Sequence, residues 1–450
     1  MPDATLSPWT MSYFAVACVF LVIGQGLMAA GYGYPFAGVD APETLALAHL
    51  LAIGWLGLLM IGALLQFVPV LIAAPLRAGR LAPSVLLLIV GGLLLLAGGF
   101  AALGGAEGLD GLSPGMLPLG AFLLVTGFGL AAAMLASTLL SARALPLPAR
   151  FVGLGLAALT ATILIGAAFA AVLSGIVASD LLATLLLHGV PFHAALGLGG
   201  WLSFTAIGVS YRLLPMFMLA PEKVSGAART VWWTGATALV LVAASVAVVF
   251  LDAEAAKTLL ALPLVLAFVA VSFYCVDLVR LYRERKRKVV ELNIRASYAA
   301  FAALLAAVVL ISIPATRAAA GEGAAALVYL FAFGWLTGLG LAQLYKIVPF
   351  LTWLECYGPI LGRIAVPRVQ DLVNEGRANF WFGLYYGAVT AATASLFAGS
   401  LPSFRVAVAA QLAATLGLMA ELVRARRLSS VKGAGVPKPR LFLPLSRPQE

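Results

Sequence analysis

The chain predicts an all-α integral membrane protein of twelve transmembrane helices arranged as three pseudo-repeats of four. Three observations lead there: composition, the number of apolar runs, and a recurring signature. Of its 450 residues 63% are hydrophobic and only 10% charged, with a mean hydropathy of +1.05, which excludes a soluble core wrapped in a wet surface. A hydrocarbon layer about 30 Å thick takes roughly 20 apolar residues per helix. Runs of that length occur at 11–31, 45–73, 81–105, 116–142, 151–176, 183–218, 231–251, 258–283, 296–318, 324–354, 379–398 and 402–424. The signature is Gly54-Trp55-Leu56 followed by Pro69, then Gly200-Trp201-Leu202 with Pro215, then Gly334-Trp335-Leu336 with Pro349, the Pro always 14 residues past the Trp. The Trp-to-Trp spacings of 146 and 134 residues leave room for four helices per copy.

Helices 2, 6 and 10 carry the signature and are long enough to tilt or to extend beyond the bilayer. Their Gly residues permit close helix approach, and their Trp residues read as packing surface in the middle of the bundle. Gln66, Arg212 and Lys346 stand 11 residues past each Trp. The two cations suit snorkelling to headgroups, with Tyr211 and Tyr345 beside them in the aromatic belt; a part in a proton or anion entry path is the alternative. The stretch between helices 10 and 11, holding Glu355, Arg363, Arg368, Asp371, Glu375 and Arg377, reads as a short interfacial helix. No soluble domain is expected: residues 1–430 form one membrane domain, with repeats about 1–145, 146–288 and 289–428, and 431–450 form a flexible cytoplasmic tail.

Charge orients the chain. Alternating loops put 25 of the 28 Lys and Arg on the side of the N-terminus, leaving Lys257, Arg317 and Arg405 opposite, so both termini are expected in the cytoplasm. A bacterial inner membrane is the expected location. The N-terminus lacks the basic region of a signal peptide. The net charge of +10 is spread over loops and concentrates at 283–288, Arg-Glu-Arg-Lys-Arg-Lys, which points to anionic lipid headgroups and not to nucleic acid. Cys18, Cys275 and Cys356 show no metal or disulfide spacing and read as packing residues.

Chemistry is sought in the three histidines, His49, His188 and His193. All fall near the starts of helices 2 and 6, in the outer half of the bundle, where imidazole calls for a partner or a ligand. At about 100° per residue, His49 and His188 lie on nearly the same face of their respective helices, measured from each Trp, while His193 points almost oppositely. A straight helix does not turn His188 and His193 onto one metal, although Pro191 between them is a candidate for unwinding that turn. Buried acids are scarce; Asp277 and Glu421 lie late in helices 8 and 12.

This architecture resembles the catalytic subunit of the haem–copper oxidases and its distant twelve-helix relatives such as the NnrS family linked to nitric oxide. The resemblance implies a haem ligand at His49 and a copper ligand at His188 or His193. It stops at helix 10: the oxidases carry two histidines there, whereas this chain has none after His193, and Tyr329 occupies the position equivalent to His49. The adjacent histidine pair of helix 7 is missing too, so the oxygen-reducing centre cannot be assembled. What the resemblance leaves is one b-type haem, with copper as an addition, served by an unknown electron donor. His49 is the first ligand, His193 or His188 the partner, and Tyr329 a weaker candidate. The rival readings are a twelve-helix secondary transporter, against which a threefold repeat counts, and a cofactor-free scaffold or sensor, in which the histidines only pack.

Overall fold

A computed structural model of the chain describes residues 9–109, 111–313 and 322–431; the expected tail, apart from Val431, and the first eight residues lie outside these. Among the described residues the chain is helical, with no strand beyond an isolated bridge between Leu361 and Ile364. Eleven helices are long and apolar enough to cross a membrane: α1 Thr10–Ala30, α2 Pro42–Ile72, α3 Gly79–Leu103, α4 Ser113–Leu139, α5 Leu147–Leu173, α6 Asp180–Met218, α7 Gly226–Val249, α8 Ala253–Glu284, α9 Leu292–Ser312, α10 Gly323–Ile360 and α12 Leu401–Arg426. Between the last two lies α11, Glu375–Phe397, 23 residues long but diluted by Asn379, Tyr385, Tyr386, Thr390, Thr393 and Ser395. Lipid explains the uniformity, because a backbone there satisfies its polar groups within its own helix or not at all.

The three Gly-Trp-Leu segments share a local form. Each lies in a π-helical stretch set inside a longer helix: Leu50–Gly57 in α2, Ala195–Phe204 in α6 and Leu330–Thr337 in α10. A π turn closes its hydrogen bonds one residue later than an α turn and so changes which residues share a face. The glycines are places where a neighbouring helix approaches closely. A Cβ on Gly54 would stand 2.5 Å from Phe20 of α1, one on Gly200 2.7 Å from Ala158 of α5, and one on Gly334 2.8 Å from Ala303 of α9.

The inner indoles tie the three helices together. Trp55 of α2 donates to Thr337 Oγ1 of α10 at 3.0 Å, and Trp335 of α10 donates to Ser203 Oγ of α6 at 3.0 Å. Each acceptor stands two residues after the Trp of its own helix. The corresponding residue in α2 is Gly57, which has no hydroxyl to offer, and the Trp201 indole forms no hydrogen bond among the described residues. The ends of the helices also correspond in part. The chain leaves α2 through left-handed Ala73 and α6 through left-handed Leu219, each four residues past the Pro, with Pro69 and Pro215 carbonyls accepting from Ala74 and Ala220. Helix α10 continues past Pro349 to its end near Ile360.

The segment expected as an interfacial helix is not one. It forms two short 3₁₀ turns, Gly358–Ile360 and Val369–Leu372, joined by extended chain. Pro359 and Pro367 remove donors, and Gly362 is left-handed at φ 81°, so no α-helix can run through.

Candidate functional site

Helices α2 and α6 begin at the same end of the bundle and place two of the three histidines against each other. The His49 and His193 rings have centroids 6.4 Å apart. His49 also packs on Phe100 of α3 at 5.3 Å, and His193 on Phe169 of α5 at 5.6 Å, so the two imidazoles are flanked by aromatic rings from two further helices. Gly166 of α5 makes room, since a Cβ there would lie 3.1 Å from His193 Cε1.

The tautomer of His49 follows from its partner. Its Nδ1 stands 2.7 Å from the Leu45 carbonyl, and a carbonyl only accepts, so Nδ1 carries the proton and Nε2 keeps its lone pair. His193 is different: its Nδ1 is buried and has no hydrogen-bond partner among the described residues. One free imidazole lone pair and one unpartnered ring nitrogen thus lie in the same interhelical space.

The donor set limits what such a space can hold. Among the described residues no group of three or more His, Cys, Asp or Glu is positioned for a metal ion, so a tetrahedral zinc or copper centre built wholly from protein is not offered. With a metal–nitrogen bond of about 2.0–2.1 Å and about 1.1 Å from nitrogen to ring centre, two imidazoles on opposite sides of one metal have centroids about 6.3 Å apart, against about 5.2 Å in a tetrahedral arrangement. The observed 6.4 Å is nearer the first figure than the second. Two opposed imidazoles are what an iron already held by a porphyrin needs, and they also suit a linear two-coordinate metal.

The other candidates stand apart from the pair. His188 is half-buried and makes no hydrogen bond or ring contact among the described residues. Counting from each Trp put His49 and His188 on equivalent faces of their helices; the structure brings His49 against His193, one of the two partners the sequence left open. The reason lies in the π-helical stretches between the histidines and the Trp residues, which invalidate a count at 100° per residue, while Pro191 sits within regular α-helix. Tyr329 is committed elsewhere: its hydroxyl donates to Gln411 Oε1 of α12, and its ring packs on Phe333 and Phe404.

Beyond the Trp layer, among α2, α6 and α10, lies a cavity of about 90 Å³ lined by residues such as Met60, Ala206, Val209, Leu339, Ser210 and Gln343. All its α2, α6 and α10 residues follow the Trp of their helix, whereas the histidines precede it. The indoles therefore separate an apolar space from the imidazole pair. The buried acids are structural by their partners. Asp277 accepts from Tyr211 and Ser225 and pairs with Arg280, and Glu421 is held by Arg377 and Arg424.

Comparison with protein-family models and with the curated proteins finds no match. The functional reading therefore rests on the chain itself.

Proposed function

We propose that the protein is a membrane redox protein of twelve spans, three copies of a four-helix unit, that holds one b-type haem between His49 and His193 near the outer surface. The observation that carries this reading is the 6.4 Å separation of two imidazoles that, among the described residues, are joined by no third His, Cys, Asp or Glu placed for a metal. The count of spans takes α11 as the twelfth, and the repeat is supported by the three π-helical Gly-Trp-Leu segments and their glycine contacts to α1, α5 and α9.

Bound there, haem supplies reversible one-electron chemistry. The chain's own contribution is orientation and shielding. Leu45 fixes the His49 tautomer and makes its Nε2 a better donor, as an outer partner does for any ligating imidazole. Phe100 and Phe169 cover the pair and keep water from it. Held by His49 and His193 together, the group would have no position left for a further ligand, which would favour electron transfer over ligand activation. A small gas such as nitric oxide is the substrate class that the resemblance to the oxidase relatives implies, and copper is the alternative metal for the same two nitrogens.

The excess of Lys and Arg on one set of loops supports cytoplasmic termini in a bacterial inner membrane. The run at 283–288 is proposed to lie on anionic headgroups; Arg285 stacks on Tyr282 and Arg287 pairs with Glu291, leaving Arg283, Lys286 and Lys288 for lipid phosphate. A reduced-minus-oxidised absorption spectrum of detergent-purified protein tests the reading: split b-type bands are expected, and a colourless protein from haem-replete cells would return the chain to the transporter and scaffold readings.

A further inference from the structure

A second polar space lies inside the bundle, between α1, α10, α11 and α12. Gln25 of α1 and Gln411 and Thr415 of α12 are all 0% exposed. Among the described residues both polar atoms of the Gln25 amide and Oγ1 of Thr415 have no hydrogen-bond partner, and Nε2 of Gln411 has at most the Tyr385 hydroxyl beside it. Such atoms in an apolar interior are costly unless something meets them.

The four atoms lie on two helices that pack against each other. Helices α1 and α12 run antiparallel, joined by Arg405 Nε donating to the Ala29 carbonyl at 3.1 Å. From that point Gln25 lies about 6 Å and Gln411 about 9 Å further along the bundle at 1.5 Å per residue, so the two amides sit at similar depth. Thr415 is one turn beyond Gln411 on the same face. Its hydroxyl is distinctive, because Thr352 and Thr393 turn theirs back onto the carbonyl four residues earlier, Val348 and Val389, whereas that of Thr415 does not. The far wall holds the Tyr329 hydroxyl, which donates to Gln411, and the Tyr385 hydroxyl, which donates to the Phe333 carbonyl and lies beside Gln411 and Thr337. Turning the Gln411 amide over would still leave one of its polar atoms unmet.

We propose that Gln25, Gln411 and Thr415 form a binding site for small neutral hydrogen-bonding molecules, with water as its ordinary ligand. The chemistry selects that class. The unmet atoms comprise amide donors, an amide acceptor and a hydroxyl, without a formal charge. On α12 the nearest charged residues, Arg405 and Glu421, are each more than a turn and a half away, and Glu421 is paired with Arg377 and Arg424. Water offers two donors and two acceptors and settles where two to four polar groups converge. The site makes a hydrated step inside the membrane that ends at Thr337, the acceptor of Trp55. It is independent of the haem reading, since none of its residues is a histidine or touches one.

Radiolytic hydroxyl-radical labelling of the intact protein in nanodiscs reads buried water directly. Tyr13 is the internal control: it is also 0% exposed, and its hydroxyl is met by the Ala82 carbonyl at 2.8 Å. Tyr329 or Tyr385 should label at least severalfold faster than Tyr13, and in Gln25→Met/Gln411→Met that excess should vanish. Labelling of both tyrosines at the Tyr13 rate would overturn the proposal. The thermal midpoint gives a second reading with opposite signs. If the amides hold water, Gln25→Met lowers the midpoint; a rise would mean that an unmet amide had been removed, and would overturn the site. The wild-type labelling decides alone should the variants fail to fold.

Discussion

Replacing each of Trp55, Trp201 and Trp335 by Phe separates packing from hydrogen bonding at the centre of the bundle. The three indoles are almost equally buried, at 0%, 4% and 0% exposure, and each sits in a π-helical segment, so the loss of volume is nearly common to all three. They differ in one respect: Trp55 and Trp335 donate at 3.0 Å to Thr337 and Ser203, and Trp201 donates to nothing among the described residues. The shared packing loss is about 2–4 kcal/mol. A buried hydrogen bond adds about 0.5–1.5 kcal/mol net, so Trp55→Phe and Trp335→Phe should each be more destabilising than Trp201→Phe by about that amount. Thr337→Val probes the same bond from the other side. It keeps the shape and orphans the Trp55 indole, at about 1–3 kcal/mol, and in a double-mutant cycle it should couple to Trp55→Phe and not to Trp201→Phe. Unfolding titrations in mixed micelles, followed by circular dichroism, measure all of these. Equal losses for the three Trp variants, or a neutral Thr337→Val, would refute the account of the indole ties.

Other substitutions test separate parts of the structure. Gly54→Ala drives a methyl to 2.5 Å from Phe20 Cγ and should destabilise by about 1–3 kcal/mol, whereas Gly26→Ala in α1 meets nothing within 4 Å and should be neutral or stabilising in the same titration. Asp277→Leu removes the acceptor of Tyr211 and Ser225 and should lower stability by about 2–4 kcal/mol, with Asp277→Asn intermediate. At the exposed turn Val369–Leu372, hydrogen bonds from Arg368 hold the Asp371 carboxyl below its usual range. A depressed carboxylate favours the folded turn above its unfolded pKa and loses that effect as pH falls through the folded one. Carbon-detected titration of labelled Asp should therefore place Asp371 below Asp residues of the unfolded chain, and Arg368→Gln should narrow the difference without abolishing it, because the backbone N–H of residue 368 still donates to the carboxylate.

The parts of the fold legible in the sequence were those written in repetition. Gly54, Gly200 and Gly334 with their Trp neighbours marked the three helices that meet, and composition marked the apolar runs. The π form was not legible, because extra residues in a turn leave no compositional trace, and a count at 100° per residue therefore left His193 and His188 both open as the partner of His49. The segment between helices 10 and 11 is not an interfacial helix because Pro359, Gly362 and Pro367 interrupt it, a signal present in the sequence. Gln25, Gln411 and Thr415 carry no charge, so the charge pattern does not mark them. The signal available was modest, namely two amides in otherwise apolar runs and a Gln and Thr four residues apart on one face.

The most direct test of the central claim is the haem content of four purified proteins, wild type, His49→Ala, His193→Ala and His188→Ala, by pyridine haemochrome assay with copper analysis on the same samples. The account predicts about one b-type haem per chain in the wild type, its loss or severe depletion in His49→Ala and His193→Ala, and its retention in His188→Ala. Wild-type protein without haem, or haem that survives the loss of both His49 and His193, would contradict it.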